Sequence, residues 1–135
     1  MKVAICDDSE QDIADLKEKL LKIIEGQIEN CEIHVYTDVT KFLKEIHTIS
    51  FDGIFLDIDM PEMNGLEVAS QIRQHYPDLI LVFITAFLQF APSGYKVSAF
   101  RYILKENYIE ELDSCLDAIQ DKLLDGKETI VVDSK

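Results

Sequence analysis

Gly53-Ile54-Phe55-Leu56-Asp57-Ile58-Asp59-Met60-Pro61-Glu62-Met63-Asn64-Gly65 is the stretch whose reading decides the fold. An apolar run carries the Asp57 carboxylate to its C-terminal end, and a second acid, Asp59, follows two residues on. Pro61 has no backbone N–H to offer a ladder and stops the strand. Asn64-Gly65 then turns the chain into a new helix. In an open parallel α/β sheet, ligands and chemistry collect outside the carboxyl ends of the strands. Asp57 is therefore a candidate reactive group. Taken alone it could equally cap a turn. The other strand ends decide between the two.

Working back from this stretch, Lys2 to Cys6 reads as a buried strand closed by Asp7-Asp8. Ser9-Glu10-Gln11-Asp12 has the Ser-x-x-acid form of a helix start. Ile13, Leu16, Leu20 and Ile23 or Ile24 then recur at helical spacing, with Gly26 as terminator. Glu32 to Tyr36 is β-rich and weakly alternating, a strand near the sheet edge. Thr37 or Asp38 can cap a second helix whose inner face is Val39, Phe42, Leu43 and Ile46.

Working forward, Leu66, Ala69, Ile72 and Tyr76 give the third helix its stripe, and Pro77-Asp78 closes it. Leu79 to Thr85 is the most hydrophobic run in the chain, as a strand buried on both faces should be. Between Phe87 and Val97, Pro92 and Gly94 interrupt the pattern, so a short or irregular, mobile helix is expected. Ala99 to Leu104 is the fifth strand, ending at Lys105. Ile109, Leu112, Leu116, Ile119 and Leu123 make the fifth helical stripe. Beyond Gly126, Thr129-Ile130-Val131-Val132 reads as a sixth strand.

Five strand–helix alternations with right-handed crossovers predict a flavodoxin-like, doubly wound α/β sandwich. Its five-stranded parallel sheet is expected in the order 2-1-3-4-5. At 135 residues the chain fits one domain over about residues 1–125. Residues 126–135 then form a linker or the start of a further domain.

Hydrophobic residues make up 47% of the chain and charged ones 29%, an ordinary globular balance. No apolar run is long enough to cross a bilayer and no signal peptide is visible, so a cytoplasmic protein with no membrane contact is expected. Thirteen basic against 26 acidic side chains give a net charge of −13. Such a chain repels phosphate backbones, which argues against direct nucleic-acid binding by these residues. Cys6, Cys31 and Cys115 have neither metal-site spacing nor an even count, and buried reduced thiols are the default.

Every strand but the second leaves a polar group at its C-terminal end: Asp7 and Asp8, Asp57, Thr85 and Lys105. Three carboxylates gathered within a few ångströms cannot all stay ionised without compensation. A divalent cation resolves the conflict, and hard oxygen ligands select Mg²⁺. The Lys105 ammonium can pair with phosphoryl oxygens, and the Thr85 hydroxyl can donate a hydrogen bond to one. The set suits an aspartyl-phosphate with Asp57 as nucleophile.

Asp7-Asp8, the Leu-Asp-x-x-Met-Pro-x-Met-x-Gly run around Asp57, Thr85-Ala86 and Tyr102-x-x-Lys105 together resemble the receiver domain of two-component response regulators. The resemblance covers about residues 2–124. It implies that Asp57 accepts a phosphoryl group from a sensor histidine kinase. It also implies that Asp8, Asp57 and the Asp59 backbone carbonyl bind Mg²⁺ directly, with Asp7 acting largely through water. Thr85 and Tyr102 correspond to a switch pair, in which the hydroxyl follows the phosphoryl group and the ring turns inward. Pro61 and Gly65 shape the loop that holds the metal. Such a protein is a switch, with slow self-dephosphorylation, more than a turnover enzyme.

Gly94 to Tyr102, with the stub after Gly126, is similar to the LytTR-type transcriptional regulators. That implies output through the fourth helix, fifth strand and fifth helix, a possible homodimer there, and DNA contact only through a following β-rich domain. Glu106 stands where the family usually has proline after the lysine. A cis peptide without proline costs several kcal/mol, so Lys105–Glu106 is expected trans.

Three other readings bear on the same residues. A stand-alone receiver would act by protein–protein contact. Leu56-Asp57-Ile58-Asp59 looks like the Asp-x-Asp motif of haloacid-dehalogenase-like phosphatases, with Asp59 as general acid. Pro61, and the position of the motif after two strand–helix units, argue against that reading. An FMN-binding module is set aside because the first loop lacks a Gly or Thr cluster to cradle a phosphate.

Overall fold

The computed structural model describes residues 1–25 and 30–133, and for 107–109 and 125–133 it describes the backbone only. The strands are β1 (Lys2–Cys6), β2 (Glu32–Tyr36), β3 (Gly53–Leu56), β4 (Ile80–Thr85) and β5 (Arg101–Leu104). The helices are α1 (Glu10–Ile24), α2 (Val39–Glu45), α3 (Gly65–His75), α4 (Ala91–Lys96) and α5 (Tyr108–Asp133). All strand pairs are parallel, in the order β2-β1-β3-β4-β5. The sheet order and fold class are those read from the sequence. The direction of winding reverses between β1 and β3, which opens a crevice at their carboxyl ends.

Alternation along the strands divides the core in two. Ala4, Cys6, Ile54, Leu56, Leu81 and Phe83 pack with the α2 and α3 side, together with Phe42 and Ile72. Val3, Ile5, Phe55, Val82, Ile84 and Ile103 pack with α1 and α5, against Leu16, Leu20, Leu112 and Leu116. Every residue of β3 and β4 is buried, so these strands are apolar throughout, whereas edge strand β2 buries only Tyr36. Asp38 caps α2, its side chain accepting from the Thr40 and Lys41 N–H groups. Asn64 caps α3 by accepting from the Glu67 N–H.

Several local expectations change. Helix α1 ends at Ile24 with Glu25 as its cap, and Gly26 lies outside the described residues. Val68 is fully buried on α3, while Leu66 is only partly covered. Strand β5 starts at Arg101, because Phe87 to Val97 forms a 3-10 turn at Leu88–Phe90 and a six-residue α4 with Pro92 in its first turn. Cys6 and Cys115 are buried free thiols, whereas Cys31 is only partly covered.

Thr129–Val132 is not a sixth strand. It continues α5, which runs through Gly126 to Asp133. β-Propensity reflects fit to a pleated, paired surface, and a helix already nucleated extends by one hydrogen bond per added residue. The Lys105–Glu106 peptide is trans, and Lys105–Asn107 is a 3-10 turn.

One polar side chain ties α3 to the segment between α4 and β5. The Arg73 guanidinium donates from Nε to the Val97 carbonyl at 2.7 Å and from Nη2 to that of Ser98 at 2.9 Å. Nη1 donates to the carbonyls of Tyr76 and Leu79. These bonds fix a turn in which Ser98 takes a left-handed φ of 55°. Arg73→Lys cannot reproduce the fork and leaves carbonyls unpaired. It is expected to lower unfolding free energy by about 1–2 kcal/mol in urea melts. Wild-type stability in that variant would mean water replaces the guanidinium without cost.

Candidate functional site

Sheet register assembles the site. Cys6 pairs with Leu56 and Thr85 with Leu104, so the residues that follow these strands emerge at one edge. The Asp57 N–H donates to the Cys6 carbonyl at 3.0 Å, extending the β1–β3 ladder to the acids. Asp7, Asp57 and Thr85 are buried, Lys105 is half-buried and Asp8 is exposed. Asp7, Asp57 and Lys105 line a cavity of about 200 Å³, together with Asp12, Asp15, Cys6 and Ile84.

Lys105 is the hub. Its Nζ donates to Asp12 Oδ2 at 2.6 Å, Asp7 Oδ2 at 3.0 Å and Asp57 Oδ2 at 3.3 Å. The remaining oxygens of the buried acids take backbone donors: Ser9 N–H to Asp7 Oδ1 at 2.9 Å, and Ile58 N–H to Asp57 Oδ1 at 2.8 Å. Burial, then the neighbouring Asp7 charge, pushes the Asp57 carboxyl up to about 6, with Lys105 and the Ile58 N–H opposing. Burial also raises Asp7 against the pull of Ser9 and Lys105. Burial alone would lower the Lys105 ammonium, but hydrogen bonds to Asp12 and Asp7 and the Asp57 charge hold it above the ordinary lysine value. The Cys6 thiol is pushed up to about 12 by burial and then by Asp7 and Asp57, so it stays protonated and is no nucleophile.

One carboxylate oxygen from each of Asp7, Asp8 and Asp57 lies within 4.8 Å of the other two. Mg²⁺ holds oxygen ligands at about 2.1 Å, which spaces them by roughly 3–4 Å, so this hard-oxygen set fits the ion with small side-chain adjustment and water in its open positions. The Asp59 side chain is exposed and stands outside the cluster.

The other two predicted residues meet at one residue, Phe87, through the peptide groups on either side of its Cα. Thr85 Oγ1 accepts from the Phe87 N–H at 3.3 Å, and the Tyr102 hydroxyl donates to the Phe87 carbonyl. The Tyr102 ring lies 6.0 Å from that of Phe83, partly buried under α4. Gly94 permits this contact, since a Cβ there would stand 3.2 Å from Tyr102 Cδ2 and 3.6 Å from Phe83 Cδ2.

Asp12 is the site residue that sequence reading missed. It stands at the third position of α1, where the Ser-x-x-acid pattern marks a helix start and the acid of a capping box bonds the cap residue's N–H. Ser9 Oγ does accept from the Asp12 N–H at 3.2 Å, but the Ser9 N–H already donates to Asp7. The Asp12 carboxylate is thereby left to Lys105, 93 residues away.

A doubly wound sheet thus gathers three acids, a lysine and a threonine at its carboxyl edge. The chain matches the response regulator receiver domain family over residues 3–117 and belongs to it. It is 30% identical to the transcriptional regulatory protein NatR of Bacillus subtilis over 118 residues, 87% of this chain and 48% of that protein. It is 29% identical to the sensory transduction protein LytR of Streptococcus agalactiae, over 89% of this chain and 48% of that one. The chain thus spans about half the length of these curated relatives. Among solved structures it resembles the response regulator TrrA of Thermotoga maritima in complex with Mg²⁺-BeF, with a TM-score of 0.75 and 28% identity. That alignment covers 87% of this chain and 97% of the other. Among the described residues, no helix is long and apolar enough to cross a membrane.

Proposed function

We propose that Asp57 is the phosphoacceptor of a Mg²⁺-dependent switch driven by a sensor histidine kinase. The observation that carries this is the convergence of Asp7, Asp8 and Asp57 on one side of Lys105, with Thr85 at the adjacent strand end. A carboxylate oxygen of Asp57 bonds to phosphorus as the bond from phosphorus to the donor's imidazole nitrogen breaks, and that nitrogen keeps the electron pair. Asp8, Asp57 and the Asp59 carbonyl would hold the Mg²⁺, with Asp7 acting through water. The ion, when bound, supplies positive charge that offsets the transferring phosphoryl oxygens. Lys105 pairs with one of those oxygens and Thr85 Oγ donates to another.

Moving the Thr85 hydroxyl to the phosphoryl group removes the acceptor of the Phe87 N–H and loosens Phe87, the residue whose carbonyl Tyr102 holds. Tyr102 then turns inward, and the surface of α4, β5 and α5 repacks. In this reading residues 1–125 are the phosphoacceptor unit and 126–135 lead to an output domain. Relatives named as regulators are about twice as long as the part this chain matches, which supports a following output segment; we read it as a LytTR-type DNA-binding domain, with transcription as the output in the cytoplasm. Homodimerisation through the α4–β5–α5 surface would present two such domains together.

Incubation with acetyl phosphate and Mg²⁺ should add one phosphoryl group, located on Asp57 by mass spectrometry of the reduced adduct. Asp57→Asn should take up none, and chelating the metal should stop labelling. Labelling that survives either change would overturn the assignment. Repeated turnover of a small phosphate ester would instead favour the phosphatase reading.

A further inference from the structure

We propose that Asp12 is a positioning residue that competes with Asp57 for the Lys105 ammonium and so sets how readily the phosphorylated state forms. This rests on the reading of Asp57 as phosphoacceptor. An ammonium has three N–H donors, and here three carboxylates take them. The shortest contact, 2.6 Å, goes to Asp12 and the longest, 3.3 Å, to Asp57. The lysine is therefore engaged most closely by a residue outside the phosphoacceptor set.

The geometry gives Asp12 a distinct place. Asp7 and Asp57 follow β1 and β3, while Asp12 reaches across from α1 and links it directly to the end of β5. Its side chain is 41% exposed, against 8% and 7% for Asp7 and Asp57, so solvent can replace the lysine at Asp12 at small cost. A phosphoryl group brings nearly one more negative charge than the carboxylate it caps. Lys105 must turn toward it, and the Asp12 contact is the one that yields. Asp12 thus stabilises the unphosphorylated arrangement against the phosphorylated one, a differential interaction of the kind that biases a two-state equilibrium.

The test uses beryllium fluoride as the phosphoryl mimic, titrated into the Mg²⁺-saturated chain and read by fluorine NMR of the bound species. Asp12→Asn keeps the shape and removes the charge, and should tighten binding about fivefold. Asp12→Glu restores the charge and should return binding to within about twofold of wild type. Asp15→Asn removes the same charge one turn further along α1, where the carboxylate engages Gln11 Nε2 at 3.1 Å, and should shift binding far less. Unchanged or weaker binding in Asp12→Asn, an equal gain in Asp15→Asn, or no recovery in Asp12→Glu overturns the proposal. Binding by wild type and its loss in Asp57→Asn test the underlying reading separately. If wild type fails to bind, both readings fall; if wild type binds and Asp12→Asn is unaltered, only this one does.

Discussion

Gly65→Ala is expected to destabilise the protein by about 3 kcal/mol and to slow labelling of Asp57 by about a hundredfold. The cause is steric. Gly65 opens α3 directly beneath the end of β3, and its N–H donates to the Ile58 carbonyl at 2.8 Å. A Cβ added there would overlap the Asp57 carbonyl oxygen and stand 2.8 Å from its carbon and 2.9 Å from Ile58 Cα. All three atoms are backbone, so no rotamer change relieves the contact. Its φ is not positive, which makes close approach, not backbone freedom, the reason for glycine. The loop carrying Asp57 must shift away from Lys105 and Asp7, or α3 must lift from the core through Val68 and Ala69. Thermal melting should fall by about 10 °C. If both melting and labelling match wild type, the clash is absorbed and the loop is not set by this contact.

The same stretch shows how far sequence carries. The unbroken apolar runs of β3 and β4 and the three–four spacing in α1 follow from burial on both sheet faces and from helix geometry, so they were legible without neighbours. So was the edge location of Asp57, Thr85 and Lys105, because parallel topology alone sends every strand end the same way. Asp12 was not legible. Its backbone fits a capping box, and only the competing Asp7 bond to the Ser9 N–H releases its carboxylate toward a lysine from another segment. The exposed Asp59 side chain was open for a related reason: β3 ends at Leu56, and past it alternation no longer says which way a residue points. Thr129–Val132 failed differently. A β-branched run has no fixed preference until a neighbouring strand or a preceding helix supplies one.

Lys105→Met should be the most informative charge deletion. Removing the ammonium leaves Asp7, Asp12 and Asp57 facing one another, while methionine keeps most of the apolar stem. Lys105 is 23% exposed and Asp12 is 41% exposed, so the loss is smaller than for a fully buried pair, about 2–3 kcal/mol near neutral pH. The pH dependence follows from the two shifts. The Lys105 value is raised above its unfolded one, so its contribution is complete below about pH 10.5 and is lost only at higher pH. Asp57 is raised to about 6, so the folded state binds its proton more tightly than the unfolded chain does. Its ionisation costs stability above that pH, and the cost fades as pH falls toward the unfolded value. Without Lys105 opposing the shift, Asp57 rises further. The deficit of Lys105→Met against wild type should therefore be largest at about pH 7.5 and should shrink by about half near pH 5. Mg²⁺ should recover part of it at neutral pH by supplying charge to the same oxygens. Urea melts at the two pH values, with and without the ion, decide the matter. A deficit equal at both pH values and indifferent to Mg²⁺ would place the loss in packing of the lysine stem, and the three acids would then tolerate one another without a cation.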